Sequence, residues 1–348
     1  MKQYALLCLF ATLPLLVKSQ QTLREVPASR YEQLKNGINI DNWLVRNKTT
    51  GVLAPTQYTE SDLKLIRQAG FRHVRFPIRS VLMDEQHPET LNRQDMDSIK
   101  AVLNLMLKNG LAVVFNPVHP AREYTARLEA DTAMQTAFIR FWTALAREVS
   151  TYDPERLFIE PMNEPFFKSQ AVWDTFNGRL LRAIRRVAPT HTLVVTPVKG
   201  NQDVADMQPV DDRNVVYSTH CYSPFGFTHQ GAPWLRYTLP TGQHYPTSQW
   251  TIDFIRKDFF DRVLAWAKTN QVRLYLGEYG VLNTADYNDR VAWLTDLGTI
   301  IRENQLASAL WCYGRASVSP SFSTLEKNDA PASERKFDDK LLNALQLK

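Results

Sequence analysis

Residues 157–167 read Leu-Phe-Ile-Glu-Pro-Met-Asn-Glu-Pro-Phe-Phe, an apolar run that breaks into two carboxylates, an amide and two prolines. Further along, Tyr-Leu-Gly-Glu-Tyr-Gly at 275–280 again sets one acid at the end of an apolar run. Two carboxyls facing each other across a cleft suit a reaction that needs an acid and a nucleophile together. One protonates a leaving oxygen while the other attacks carbon, and in the double-displacement form the two stand only about 5–5.5 Å apart. Glu164 and Glu278 are the candidate catalytic pair on this reading. Other polar residues also stand where apolar runs end. Arg75 supplies a cation and Tyr222 a hydroxyl donor, and beside Glu278 both would favour an ionised nucleophile. Glu164, as the acid, needs a less polar or more negative surrounding to keep its proton. Asn163 is placed for a sugar 2-hydroxyl, and His119 and His220 complete the polar set. Trp43, Trp234 and Trp311 offer flat apolar faces to pyranose rings.

These residues need a scaffold that gathers the ends of many strands at one rim. Strands are expected at 37–40, 73–76, 111–115, 157–160, 192–195, 214–217, 273–277 and 308–311. Amphipathic helical patterns fall near 60–69, 94–108, 131–149, 173–187, 256–268, 286–302 and 338–346. Strands so continuously apolar belong in a sheet covered on both faces, as parallel β/α units require. Eight of them in alternation predict an α/β fold, a single (β/α)8 TIM barrel, whose chemistry sits where strands run out into the following loops. The fifth crossover, 196–213, lacks an obvious helix. No Gly-x-Gly-x-x-Gly or Gly-x-x-x-x-Gly-Lys follows the first strand, which removes support for nucleotide binding. Segment 223–250 is far longer than an ordinary connection and carries six aromatic residues, so it is expected to bind.

The 348 residues, 44% hydrophobic and 22% charged, suffice for one large core. A net charge of +5 without a Lys/Arg stripe argues against nucleic acid as a partner. Residues 1–19 carry Lys2, an apolar run from Tyr4 to Val17, and small or branched residues at Val17 and Ser19. That run is too short to span a membrane and reads as a secretory signal peptide, giving a secreted or periplasmic catalytic domain at 20–348. Beyond it only Cys221 and Cys312 remain, without any Cys-x-x-Cys, and two buried thiols are expected rather than a disulfide.

The assembled pattern resembles glycoside hydrolase family 5, the cellulase family A of clan A, over essentially all of 20–348. Its markers are GFRHVRFPI with Arg75, NPVHP with His119, EPMNEP with Asn163 and Glu164, HCY with His220 and Tyr222, LGEYG with Glu278, and Trp311. The resemblance implies a retaining β-1,4-glucanase with Glu164 as acid/base and Glu278 as nucleophile. It also implies a binding site lined by the other matched residues, a β-linked polysaccharide or oligosaccharide as partner, and neither metal nor cofactor; the oligomeric state is left open by the sequence, with a monomer expected. The stretch YSPFGFTHQGAPW is similar to bacterial endoglucanase-like members. Asn116-Pro-Val before His119 departs from the pattern, because an acidic residue is common there. The rival readings are a β-mannanase, an exopolysaccharide-trimming glycanase, a silent glycan-binding barrel and a metallohydrolase.

Overall fold

A computed structural model describes residues 25–200, 202–314, 320–326 and 331–347. The expected signal peptide lies outside the described residues. Eight parallel strands close into a barrel: β1 (Gly37–Asn39), β2 (His73–Pro77), β3 (Ala112–Asn116), β4 (Leu157–Ile159), β5 (Leu193–Val195), β6 (Val215–Cys221), β7 (Arg273–Tyr279) and β8 (Ala307–Leu310). Each pairs with its sequence neighbours, and β8 returns to β1. Nearly every strand residue is buried, as expected for strands with side chains on one face and helices on the other.

The two faces carry different cores. Alternate residues Ala112, Val114, Phe158, Val194, Val216, Tyr275, Ala307 and Ala309 fill the lower barrel, and Tyr31 and Leu34 close it from below. The other parity packs outward on Glu60–Gln68, Arg93–Lys108, Thr132–Val149, Gln170–Val187 and Tyr287–Glu303, which match the expected helices within a few residues. Asn92, Asp131, Ser169 and Asp286 cap four of these, each side chain accepting from a backbone N–H of the first turn.

Several elements were not anticipated. Arg122–Ala130 forms an extra helix before the third crossover helix, with Asp131 ending one and capping the next. The seventh strand is preceded by a broken helix, Ile252–Ile255 and Asp261–Asn270 joined by a π-helical turn at Arg256–Phe260. Among its described residues the fifth crossover contains two short 3-10 segments, Val198–Gly200 and Gln202–Asp206, and no longer helix, in keeping with the missing helical pattern. Cys221 and Cys312 are both buried and are not joined. Among the described residues, no helix is long and apolar enough to cross a membrane.

Candidate active site

Arg75 stands at the centre of the upper barrel with no exposed surface. Its Nε and Nη2 donate to the two oxygens of Glu160 at 2.7 Å each, and Nη1 donates to Glu278 Oε1 at 2.8 Å and Asn39 Oδ1 at 3.0 Å. Nη2 also reaches Asn163 Oδ1 at 2.6 Å. All five guanidinium protons are therefore used, which is what permits a full charge at this depth. Burial works against the cation, but Glu160 first and Glu278 next outweigh it, and the guanidinium pKa rises.

A local irregularity brings Glu278 into this cluster. Thr219 of β6 pairs with Leu276 of β7, yet the next residue, His220, pairs with Glu278, so Gly277 is the extra residue of a bulge. A Cβ on Gly277 would lie 2.6 Å from the Ser218 hydroxyl and 3.1 Å from the His220 ring, so only glycine fits there. Asn39 Nδ2 donates to the bulge carbonyl at 2.9 Å. Glu278 is thereby re-aimed, and its second oxygen accepts from the Tyr222 hydroxyl at 2.9 Å. Burial, then the charge of Glu278, pushes the Tyr222 pKa well above its ordinary value, so this group stays a donor.

Glu164 approaches from the segment that follows β4, on backbone at φ 36° that side-chain-bearing residues rarely adopt. Its Oε1 lies 2.7 Å from His220 Nδ1, and the same nitrogen is 3.6 Å from Glu278 Oε2. One polar atom each from Glu164, His220 and Glu278 fall within 4.8 Å of one another. Burial alone would hold His220 neutral, but Glu278 and Glu164 together raise its pKa above the ordinary 6.5. A raised value makes protonated His220 stabilising at low pH; that contribution is complete below about 6.5 and disappears as pH climbs through the folded-state value. His220→Asn keeps a donor near the Nδ1 position but cannot titrate. The stability gap between wild type and this variant, from urea midpoints, is expected to be larger at pH 5.5 than at pH 9. A gap that widens with pH would contradict the assignment.

Residues 36–317 match the cellulase model, glycosyl hydrolase family 5. The chain belongs to that family. Among its relatives, Endoglucanase C of Acetivibrio thermocellus is 26% identical over 314 residues, covering 80% of this chain and 91% of that protein. A hyperthermophilic endo-β-1,4-glucanase solved with substrate aligns with a TM-score of 0.78 at 28% identity, covering 91% of this chain and 98% of the other. Thermotoga maritima Cel5A, solved with cellobiose, gives 0.79 at 26% identity with the same coverage. It has also been solved with mannotriose.

In this family 5 hydrolase, Asn163 and His119 form the wall beside Glu164. Arg75 fixes the Asn163 amide by holding its oxygen, which turns Nδ2 toward His119 Nε2 at 3.5 Å. Arg79 Nη1 donates to that same Nε2 at 3.1 Å. Burial first, then Arg79, Arg75 and His220, hold the His119 pKa well below its ordinary value, so the ring is neutral with its proton on Nδ1.

The three expected tryptophan platforms separate on exposure. Trp234 is 52% exposed. It ends a chain of rings that starts at Tyr222: His229 lies 4.7 Å from Tyr222, Phe322 5.2 Å from His229, and Trp234 6.3 Å from Phe322. Burial lowers the His229 pKa to about 3, so its ring acts as a neutral aromatic. Trp311 stands at the end of β8, only 8% exposed, with the Arg79 guanidinium 5.8 Å over its ring. Trp43 corrects the expectation outright, being 1% exposed. Asn42, at φ 56°, turns the chain into a two-stranded ribbon (Leu44–Arg46 with Leu53–Pro55), and the indole is sealed beneath it 5.4 Å from Tyr58. No sugar ring can reach it.

Glu164, His220 and Glu278 could each offer one atom to a cation. Their donor chemistry is unsuited to one, because both Glu278 oxygens already accept hydrogen bonds and the Arg75 guanidinium repels a second positive charge. Glu160 is the functional residue that reading the motifs missed. Strand periodicity could have found it: Phe158 points into the barrel, so the residue two further on points there too.

Proposed function

We propose that this family 5 hydrolase is an exported endo-β-1,4-glucanase that acts with retention of configuration. The observation that carries the reading is the approach of Glu164 and Glu278, whose nearest polar atoms lie within 4.8 Å, on the side of the about 5–5.5 Å of retaining pairs and short of the about 6.5–9.5 Å that inverting pairs keep for a nucleophilic water. The roles follow from their surroundings. Glu278 is buried, with both oxygens oriented by Arg75 and Tyr222, so it is presented as a fixed nucleophile. Glu164, with its side chain 26% exposed, can meet both a leaving oxygen and an incoming water. Attack by Glu278 on the anomeric carbon transfers the Glu164 proton to the departing oxygen. Glu164 then takes a proton from the water that displaces Glu278. Asn163 Nδ2 is set to bind the sugar 2-hydroxyl during both steps.

Cleavage of a cello-oligosaccharide followed by proton NMR is expected to give the β-anomer first; an initial α-anomer would refute retention. Trp234→Ala should raise KM about ten-fold on long substrates with kcat little changed, since stacking is removed far from the acids. A kcat loss at constant KM would move Trp234 out of the binding groove. Export rests on the character of residues 1–19, and the N-terminal residue of protein recovered outside the cytoplasm, expected to be Gln20, tests it. A β-mannanase is the second reading, favoured by the mannotriose bound to Thermotoga maritima Cel5A. Comparing kcat/KM on carboxymethylcellulose and on galactomannan separates the two.

A further inference from the structure

Beside the acids lies a second concavity of about 440 Å³, between the loops that follow β2 and β3. Arg79 and His119 form the wall it shares with the candidate active site, so it opens next to the sugar that Asn163 would hold. Apart from Ser80 and the Tyr124 hydroxyl, the remaining lining is apolar, with Leu82, Met83, Val118 and Phe138 among its walls. The Tyr124 hydroxyl is directed to the Met83 sulfur at 3.9 Å, and Val81 at the rim is 69% exposed.

A pyranose ring is a poor occupant, because each buried hydroxyl without a partner carries a desolvation penalty and, beyond Ser80 and Tyr124, this part of the lining offers no side-chain partners. A short aliphatic group loses nothing there. One polar feature at the mouth narrows the choice. Arg79 commits Nε to Asp41 at 2.7 Å and Nη1 to His119, while Nη2 has no partner among the described residues and is a donor for a carbonyl oxygen.

We infer that the recess between the β2 and β3 loops receives a short O-acyl group carried by the sugar beside the scissile bond, so that the preferred substrate is an acylated β-glucan. The inference deepens the endoglucanase reading and rests on it. The ester carbonyl faces Arg79 and the alkyl tail lies on Leu82 and Met83. Each methylene buried there is worth about a four-fold gain in kcat/KM.

The test is a competition between cellopentaose and its mono-O-butyryl regioisomers, followed by mass spectrometry. Wild type is expected to consume at least one butyrylated isomer about ten-fold faster than the parent. Leu82→Asp should bring that ratio near one while leaving kcat/KM on cellopentaose unchanged. Val81→Asp, on the exposed rim, should lower the ratio without risk to folding. Normal cleavage of cellopentaose with no preferred isomer would overturn the inference and leave the endoglucanase reading intact. Cleavage of neither substrate would remove both.

Discussion

Glu278→Ala is expected to lower kcat on a cello-oligosaccharide by about 10⁴- to 10⁶-fold, the scale on which a covalent nucleophile is lost. The variant should fold, because the neighbours that hold Glu278 keep other partners: Arg75 retains both oxygens of Glu160, and His220 retains Glu164. Loss of activity alone would not separate a nucleophile from a binding residue, so the readout is chemical rescue. The truncated side chain leaves room on the face opposite the leaving group, and azide entering there should yield an α-glycosyl azide. Glu164→Ala should behave in the opposite way. It lacks the acid, so its defect should be small on aryl glycosides, whose leaving groups need no proton, and azide should give the β-product from the intact glycosyl-enzyme. The same azide anomer from both variants would mean that the two roles are wrongly divided.

Much of this arrangement was legible in the sequence, for reasons that can be stated. All eight barrel strands were readable because a strand buried on both faces must be apolar throughout. The polar residues that interrupt those runs mark the rim, which is why Arg75, Asn163, His220 and Glu278 stood out and why the structure brings them together. Trp43 failed the same kind of reading. Its fate depends on Asn42 and on a ribbon whose pairing is not local to the tryptophan, so residue type alone placed it in the groove when it belongs to the core. The bulge at Gly277 was hidden for a related reason. It exists only in the register between β6 and β7, although a glycine immediately before the acid was its one local trace. Glu160 was overlooked because a carboxylate inside a barrel has no evident purpose until its cation is seen across the lumen.

That carboxylate sets the other large effect, expected from Glu160→Gln. The substitution keeps the shape of the side chain but puts an amide where two charge-assisted bonds of 2.7 Å now end. Removing one member of a fully buried ion pair costs about 3–5 kcal/mol. The lower end is expected here, since Glu278 remains to balance Arg75. Chemical denaturation of the wild type and the variant would measure it. Function should suffer as well, and in a diagnostic way. With Glu160 neutralised, the Arg75 charge is concentrated on Glu278, which becomes a weaker nucleophile, and the guanidinium no longer has its bidentate anchor. Displacing the attacking oxygen by an ångström can cost up to about a hundred-fold in rate. Glu160 is fully buried below the rim and has no contact with a sugar, so kcat should fall while KM stays nearly constant. A fall confined to KM would place Glu160 in substrate binding, and a stability equal to wild type would show that Arg75 does not depend on it. Glu160 would thus act on the reaction only through the cation it holds, whose other side steadies Glu278 across the lumen.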